Sequence, residues 1–482
     1  MEKNRTANCG YLFGTSSAVM TRLSHNIASL FSADMARRAL GFVSVVYLAR
    51  VLGKDGFGFV NVAFAVLAYG IVLSAAGFPM FGTKRIAQGS DLKFIGEFLG
   101  ARMVTSVCVV VIIIASAFIF LHDNAQSMVI ALFALTLFAQ IFFFDWYFQG
   151  KERMKIVSFG RVLSSCIYTL IVVTMVHTVN DLWIVACAAI AGDTVTALYY
   201  VRRFKKENPQ QQLHMVFSFQ MVKGTFFLSV GAILSTLVIN FPPFVLSALQ
   251  SNAEVGIFSA ASKIVFFLLV GDRLLLPLLL PASARKQTDS PEALAHLLSE
   301  ALRWILVFAL PIVVGGIIFS ERIILLVFGN SYVASAAVFR VFIWFFFFTM
   351  LHSVYVSGLI AMGRDHVYGK IMLITAILYA ATVTVGSKYF GAMGAAFGVV
   401  LSEAISVLMM RHALVSVMTV QAPRAVLRIM FATILMGSCV LFFSSWNLLV
   451  TILLGVLFYS TAIFAVRGIT WNEAKEFLAR FA

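Results

Sequence analysis

The sequence predicts an all-α integral membrane protein of roughly fourteen transmembrane helices. Three observations predict it. Of 482 residues, 61% are hydrophobic and 12% charged, and the mean hydropathy is +0.95, a balance that water-soluble chains of this size do not show. Apolar runs of about 18 residues or more recur between short polar breaks, each long enough to cross a ~30 Å hydrocarbon core as helix. These runs do not alternate and are about twice the ~10-residue strand of a membrane β-barrel, which excludes that class.

In chain order the predicted spans are 27–50, 57–78, 97–121, 127–148, 156–178, 181–201, 222–249, 254–280, 297–319, 335–360, 367–389, 393–418, 424–444 and 446–466. The stretch before them is too polar for a signal peptide and lacks a cleavage-site pattern; Met20, ahead of Thr21 and Arg22, is a second candidate start. The net charge of +15 is placed asymmetrically. With the N-terminus inside, Lys84, Arg85, Lys151, Arg153, Arg202, Arg203, Lys205, Lys206, Arg285 and Lys286 fall in cytoplasmic loops, while outside loops hold few basic residues, such as Lys54, Arg322 and Lys388. The positive-inside rule and an even helix count then put both termini in the cytoplasm. No loop is long enough to build a basic face for nucleic acid. Cys108, Cys166, Cys187 and Cys439 fall inside spans without metal-ligand spacing and read as small core residues.

The polar break RRFKKENPQQQ, Arg202–Gln212, divides the chain. The expected organisation is a cytoplasmic tail (1–26), a first lobe of helices 1–6 (27–203), a second lobe of helices 7–12 (222–418), a helix pair (424–467) and a cytoplasmic tail (468–482). A weak internal repeat supports two lobes: Gly58 aligns with Gly256, and Pro79 aligns with Pro277 at the same spacing. Copies entering from the same side are parallel repeats about an axis along the membrane normal, with a central cleft. Asp289 with Glu292 has capping-box spacing, and Leu294, Leu297, Leu298, Ala301 and Leu302 then share a face, either as an interfacial helix or as an ordinary linker. Thr470 and Glu473 repeat the capping pattern.

An ionisable group near the bilayer centre costs roughly 2.5–3.5 kcal/mol on insertion scales and so asks for a reason. The first span holds Asp34, Arg37 and Arg38; Asp34 and Arg38 can pair at i, i+4, leaving Arg37 as an extra cation. The eighth carries Lys263, Asp272 and Arg273. At 100° per residue Lys263 and Asp272 point apart, so Lys263 either finds an acid elsewhere or faces a wet, anion-attracting cavity. Asp193 and Glu403 lie deep enough to be charge partners or proton or sodium carriers. Asp145, Arg161 and Arg340 sit near span ends, where snorkelling accounts for them. Asn240 precedes Phe241-Pro242-Pro243, and consecutive prolines break a helix, a candidate hinge. Gly391, Gly394 and Gly398 read as close-packing contacts. Nucleotide-loop and metalloprotease signatures are missing, so no metal and no cofactor is expected, and H+ or Na+ coupling must supply energy unless the substrate's own gradient does.

From Tyr47 the chain reads YLARVLGKDGFGFVNVAFAVLAYG, then AAGFPMFGTKRIA to Ala87. Ala49-Arg50-x-Leu52-Gly53, Phe57-Gly58, Gly77 and Thr83 to Ala87 resemble the N-terminal signature of the polysaccharide transport family, the Wzx-type O-antigen flippases of the multidrug/oligosaccharidyl-lipid/polysaccharide (MOP) superfamily. WYFQGKERMK, Trp146 to Lys155, is similar to that family's loop after the fourth helix. The resemblance covers the first 155 residues. It implies two six-helix bundles in a V in the bacterial inner membrane, and export of undecaprenyl-diphosphate-linked O-unit from the cytoplasmic to the periplasmic leaflet. A polysaccharide polymerase and a chain-length regulator are the implied partners. A cationic cavity for the diphosphate is also implied, which Arg37, Arg38, Lys263 and Arg273 would line. Fourteen spans depart from the twelve often assigned to such flippases. A multidrug exporter would share the lobes and could use Asp34 as its carboxylate, although predominantly basic deep charges repel cationic drugs. A glycan polymerase or glycosyltransferase needs a large outside loop with acid/base residues, and the longest interior break is cytoplasmic.

Overall fold

The computed structural model describes the backbone of residues 10–475 apart from 90, 91, 93, 122, 212, 213, 419–424, 472 and 474. It describes side chains from residue 34 on, apart from those residues and 224, 226–235, 237, 238, 273 and 274. Every regular element among the described residues is helical. In order these are α1 (Gly10–Ala75), α2 (Phe78–Ala87), α3 (Phe94–Phe120), α4 (Asn124–Ile141), α5 (Asp145–Gly150), α6 (Met154–Met175), α7 (Leu182–Glu207) and α8 (Phe219–Leu249). There follow α9 (Asn252–Leu268), α10 (Asp272–Asp289), α11 (Pro291–Ile318), α12 (Ser320–Phe328), α13 (Ala334–Ala361), α14 (Asp365–Val415), α15 (Val426–Phe442) and α16 (Leu448–Ala465).

Nine helical stretches among the described residues are long and apolar enough to cross a membrane. Two of them exceed one crossing. As a straight helix the 51 residues of α14 would reach ~76 Å, more than twice the hydrocarbon thickness. Instead Gly391, at φ 55, interrupts it, a left-handed backbone that glycine adopts without a Cβ clash. Thr382 Oγ1 donates to the Gly398 carbonyl at 3.0 Å, and a Cβ on Gly394 would collide with the Gly386 backbone. Residues so far apart along one helix meet only if the chain folds back, so α14 is a hairpin whose glycines allow close packing. Its arms match the predicted eleventh and twelfth spans. In α1, Gly53 at φ 64 makes the corresponding interruption.

The chain divides into two compact units, one of residues 1–56 and 60–240, the other of 57–59 and 241–482. Within the first, α3 packs on α4, α4 on α7, and α6 on α7. Its core is aromatic: Phe78, Phe98, Phe144, Trp146, Tyr147 and Phe204 are almost fully buried, with Phe144 stacked on Phe204 at 4.5 Å. The aromatics of the WYFQG segment therefore form a structural knot that fixes α5. Arg102 is buried beside them, donating to the Ile141 carbonyl at 3.4 Å with its guanidinium over the Phe98 ring.

In the second unit α13 is central, packing against α9, α10, α11 and α14. Gly58, counted with this unit, lies where a Cβ would overlap the Asn252 carbonyl and the Gly256 amide; the two glycines aligned by the repeat are thus packed together. Val307 of α11, Ile429 and Met436 of α15, and Tyr459 and Ile463 of α16 form a further apolar cluster.

Several expectations are corrected. The predicted eighth span is two helices, because α9 ends at Leu268 and a turn precedes Asp272; Lys263 therefore does not share a helix with Asp272 and Arg273. The cap of α11 is Ser290, which accepts from the Ala293 amide at 3.1 Å with Pro291 behind it, while Asp289 pairs with Lys286 at 3.0 Å. Leu294, Leu298 and Leu302 share a buried face, but no separate interfacial helix forms, since α11 runs unbroken from Pro291 to Ile318. Pro242 and Pro243 lie inside α8, which continues to Leu249. The boundary between the units nevertheless falls at Asn240 and Phe241, just before that pair.

Candidate functional site

Two polar clusters sit among helices otherwise lined by hydrocarbon, one in each unit. The first is a cavity of about 310 Å³ lined by Arg37, Asp145, Arg161, Ser164, Asp193 and Tyr200, with Phe143, Gly160, Ser165 and Thr196. The knot around Trp146 holds Asp145 at the start of α5, where its carboxylate lies 3.6 Å from Arg161 Nη2 of α6. Asp193 of α7 is served by neutral donors: Gln140 Nε2 of α4 at 2.7 Å and Ser164 Oγ of α6 at 2.8 Å. It makes no salt bridge among the described residues. A carboxylate held by an amide and a hydroxyl beside open volume can accept a proton or a small cation in place of a fixed partner.

Arg37 and Arg38 both bind Asp34, at 3.0 Å and 2.7 Å, so one carboxylate offsets two guanidinium groups and the set keeps a net positive charge. This corrects the expectation that Arg37 would be left out. Ser44 Oγ to Thr169 Oγ1 at 2.8 Å and Tyr47 Oη to the Val176 carbonyl at 2.8 Å fix α1 against α6 and so hold Arg37 at the cavity.

The second cluster lies on α13. His352 Nδ1 is 2.8 Å from Glu403 Oε1 of α14, and the neighbouring Ser353 donates to Asp272 Oδ1 of α10 at 2.6 Å. Lys263 of α9 is half-buried and makes no salt bridge among the described residues. The same unit also contains an apolar hollow of about 690 Å³, walled by α9, α11, α12, α13, α15 and α16, with Trp304, Phe308, Met436 and Phe464 among its lining. No group of three or more His, Cys, Asp or Glu that could hold a metal occurs among the described residues.

Residues 23–278 match the polysaccharide biosynthesis protein family, more than half of the chain. The chain belongs to that family. Among curated proteins it is similar to three provisionally named O-antigen transporters. That of Escherichia coli K12 is 25% identical over 35% of this chain, a match spanning 41% of the relative's length. Those of Shigella flexneri and Shigella dysenteriae are 21% and 22% identical over 73% and 81% of this chain and 88% and 100% of their own. Among solved structures, the lipid II flippase MurJ in an inward closed conformation superposes with a TM-score of 0.69, 14% identity, 90% of this chain and 98% of that one. An inward-facing multidrug resistance MATE transporter of the MOP superfamily gives 0.63, 14% identity, 79% and 95%. At that identity the likeness shows the fold, which is of the MOP type. Family and fold are those of a multi-pass membrane transporter.

In this polysaccharide biosynthesis protein the residues singled out by sequence fall as follows. Arg37 and Asp193 reach one cavity; Arg38 and Asp34 adjoin it through Arg37. Glu403 and Lys263 are in the other unit, and the side chain of Arg273 lies outside the described residues. Asn240 uses its amide on the Thr236 carbonyl at 3.0 Å, a bond within α8. Of the arginines near span ends, Arg161 lies 3.6 Å from Asp145, and Arg340 donates to Ser320 Oγ at 2.6 Å. Sequence reasoning missed Gln140, Ser164, His352 and Ser353. For His352 a signal existed, since an imidazole at membrane depth is as unusual as a carboxylate.

Proposed function

We propose that this protein is a flippase that carries an undecaprenyl-diphosphate-linked oligosaccharide, an O-antigen or related unit, from the cytoplasmic to the periplasmic leaflet of a bacterial inner membrane by ion-coupled alternating access. The observation that carries the reading is the family match through residue 278 on a MOP-type fold. The relatives named as O-antigen transporters and the lipid II flippase neighbour point to the same class of lipid-linked glycan.

We further infer fourteen crossings, in two six-helix lobes and a C-terminal pair, because α1 and α14 each supply two spans. Both termini are cytoplasmic by the distribution of basic residues. Arg37, Arg38, Lys263 and Arg273 furnish positive charge for the diphosphate, and Asp34, Asp193 and Glu403 are the carboxylates available for charge pairing or ion coupling. The apolar hollow has the chemistry to shelter hydrocarbon. Pro242 and Pro243 remove two backbone donors in α8 beside the unit boundary, a suitable hinge between lobes. A polymerase and a chain-length regulator are the expected partners.

A strain deleted for its own O-antigen flippase, supplied with this protein's glycan pathway, tests the reading. Wild type should restore surface polysaccharide, and Arg37→Ala, Arg38→Ala and Lys263→Ala should reduce it at matched membrane expression. A well-expressed wild type that restores nothing overturns the proposal and favours a multidrug/cation exporter, the alternative in line with the multidrug resistance MATE neighbour.

A further inference from the structure

A carboxylate and an imidazole meet inside the second unit, with a second carboxylate from a third helix nearby. The His352 to Glu403 contact joins α13 to α14, with side-chain exposures of 17% and 19%. One residue on, Ser353 ties α13 to Asp272 of α10, and Asp272 lies within electrostatic range of the imidazole. His352 is nine residues from the end of α13, ~14 Å along its axis, and Glu403 lies at a similar depth in the second arm of α14.

Among the described residues the other ionisable groups around the pair are few, and the side chain of Arg273, next to Asp272, lies outside those residues. From α14, Tyr368 is within electrostatic range of Glu403, and Arg411 acts on Tyr355 of α13. On α9 the ionisable group at membrane depth is Lys263. On α11, Arg303 is committed to Glu473 at 2.8 Å, and on α13 itself Arg340 is held by Ser320.

With a neutral imidazole, Glu403 and Asp272 are two negative charges at a depth where charge is poorly solvated. A proton on His352 turns the contact into a hydrogen-bonded ion pair and reduces the local net negative charge from two units to one. A hard cation such as sodium would need a shell of oxygen ligands, and here an imidazole occupies a Glu403 oxygen. Histidine is also the side chain whose ordinary titration lies nearest neutrality.

We propose that the His352–Glu403 pair, with Asp272 beside it, is the proton-binding site through which a proton gradient drives this transporter. The proposal rests on the transporter reading above and assigns its coupling ion and place. The proton is taken from water at one membrane face onto the imidazole, which donates it in a hydrogen bond to Glu403, and it returns to water at the other face when the site reopens.

The test uses the purified full chain in lipid nanodiscs with no glycan present. Proton uptake is measured from about pH 9 to about pH 5 for wild type, His352→Gln, Glu403→Gln and the double variant. Each single variant should take up about one proton fewer than wild type and the double variant no fewer still, the non-additivity of a coupled pair. Wild-type uptake in both single variants overturns the proposal. Should the variants fail to fold, nitrogen-15 spectra of histidine-labelled wild type decide it: an additional His352→Lys preparation assigns the resonance by its loss, and if that fails too, eight histidines that all titrate like free imidazole, or one that keeps a single protonation state throughout, overturn it. Because no glycan is present, a lost proton with failed complementation removes the flippase reading alone, and a retained proton with successful complementation removes this site alone.

Discussion

Arg303 and Glu473 form a two-pronged contact between α11 and the C-terminal segment, Nη1 to Oε1 at 2.9 Å and Nη2 to Oε2 at 2.8 Å. Glu473 also completes the predicted capping box, accepting from the Thr470 amide at 2.8 Å while its own amide donates to Thr470 Oγ1. Hydrogen bonding from the guanidinium holds the Glu473 carboxyl down to about 2, against an ordinary 4.5. Since the folded value is the lower one, the stabilisation is fully present above about pH 4.5 and is lost as pH falls toward 2. The pair is partly exposed, so its worth is at most ~1 kcal/mol. Limited proteolysis should cut the C-terminal segment faster in Glu473→Gln than in wild type at neutral pH, with the difference vanishing in strong acid. Equal cutting at neutral pH would show that the contact does not secure the segment.

Gly391 should tolerate no side chain. Its φ of 55° costs a non-glycine residue ~1–3 kcal/mol, and its Cβ would meet the Glu254 carboxylate, which accepts from the Ala392 amide at 2.6 Å. Gly391→Ala should lower the thermal midpoint of the purified protein, and Glu254→Gln should lower it less. An unchanged midpoint for the alanine variant would mean that the bend of α14 is not fixed at this residue.

Asp193→Asn keeps the size of the side chain but removes the negative charge beside Gln140 and Ser164. Transport should fall by about tenfold, roughly 1.4 kcal/mol, with membrane expression and thermal midpoint near wild type. A loss of folding in proportion to the loss of transport would assign Asp193 a structural role only.

Arg161→Ala should remove the ion pair that Asp145 makes in the first cavity, and Asp145→Asn in the same chain should recover part of the lost transport. Two losses that simply add, measured as a double-mutant cycle, would show the two groups to be energetically independent.

Much of this architecture was legible because lipid imposes a coarse rule: long apolar runs become helices, and the close packing between the arms of α14 was marked by Gly394 and Gly398. The charges at depth were legible for the same reason. Their surroundings were not. Asp193 meets Ser164 and Gln140 from helices 29 and 53 residues away, and Glu403 meets His352 from 51 residues away, contacts that no local periodicity encodes. The split of the eighth span between Leu268 and Asp272 was hidden because apolar residues run up to Val270 and resume at Leu274, and Ser290 was overlooked as a cap because Asp289 and Glu292 offered a competing pattern of the same kind.

The most direct measurement is leaflet transfer itself. Purified protein is reconstituted into liposomes holding a fluorescent undecaprenyl-diphosphate oligosaccharide, and the fraction reached by an external quencher is followed over time with and without an inward proton gradient. The account predicts transfer well above that of protein-free liposomes, faster with the gradient, and slowed by Arg37→Ala. Transfer no faster than in protein-free liposomes, from protein that remains folded, would contradict it.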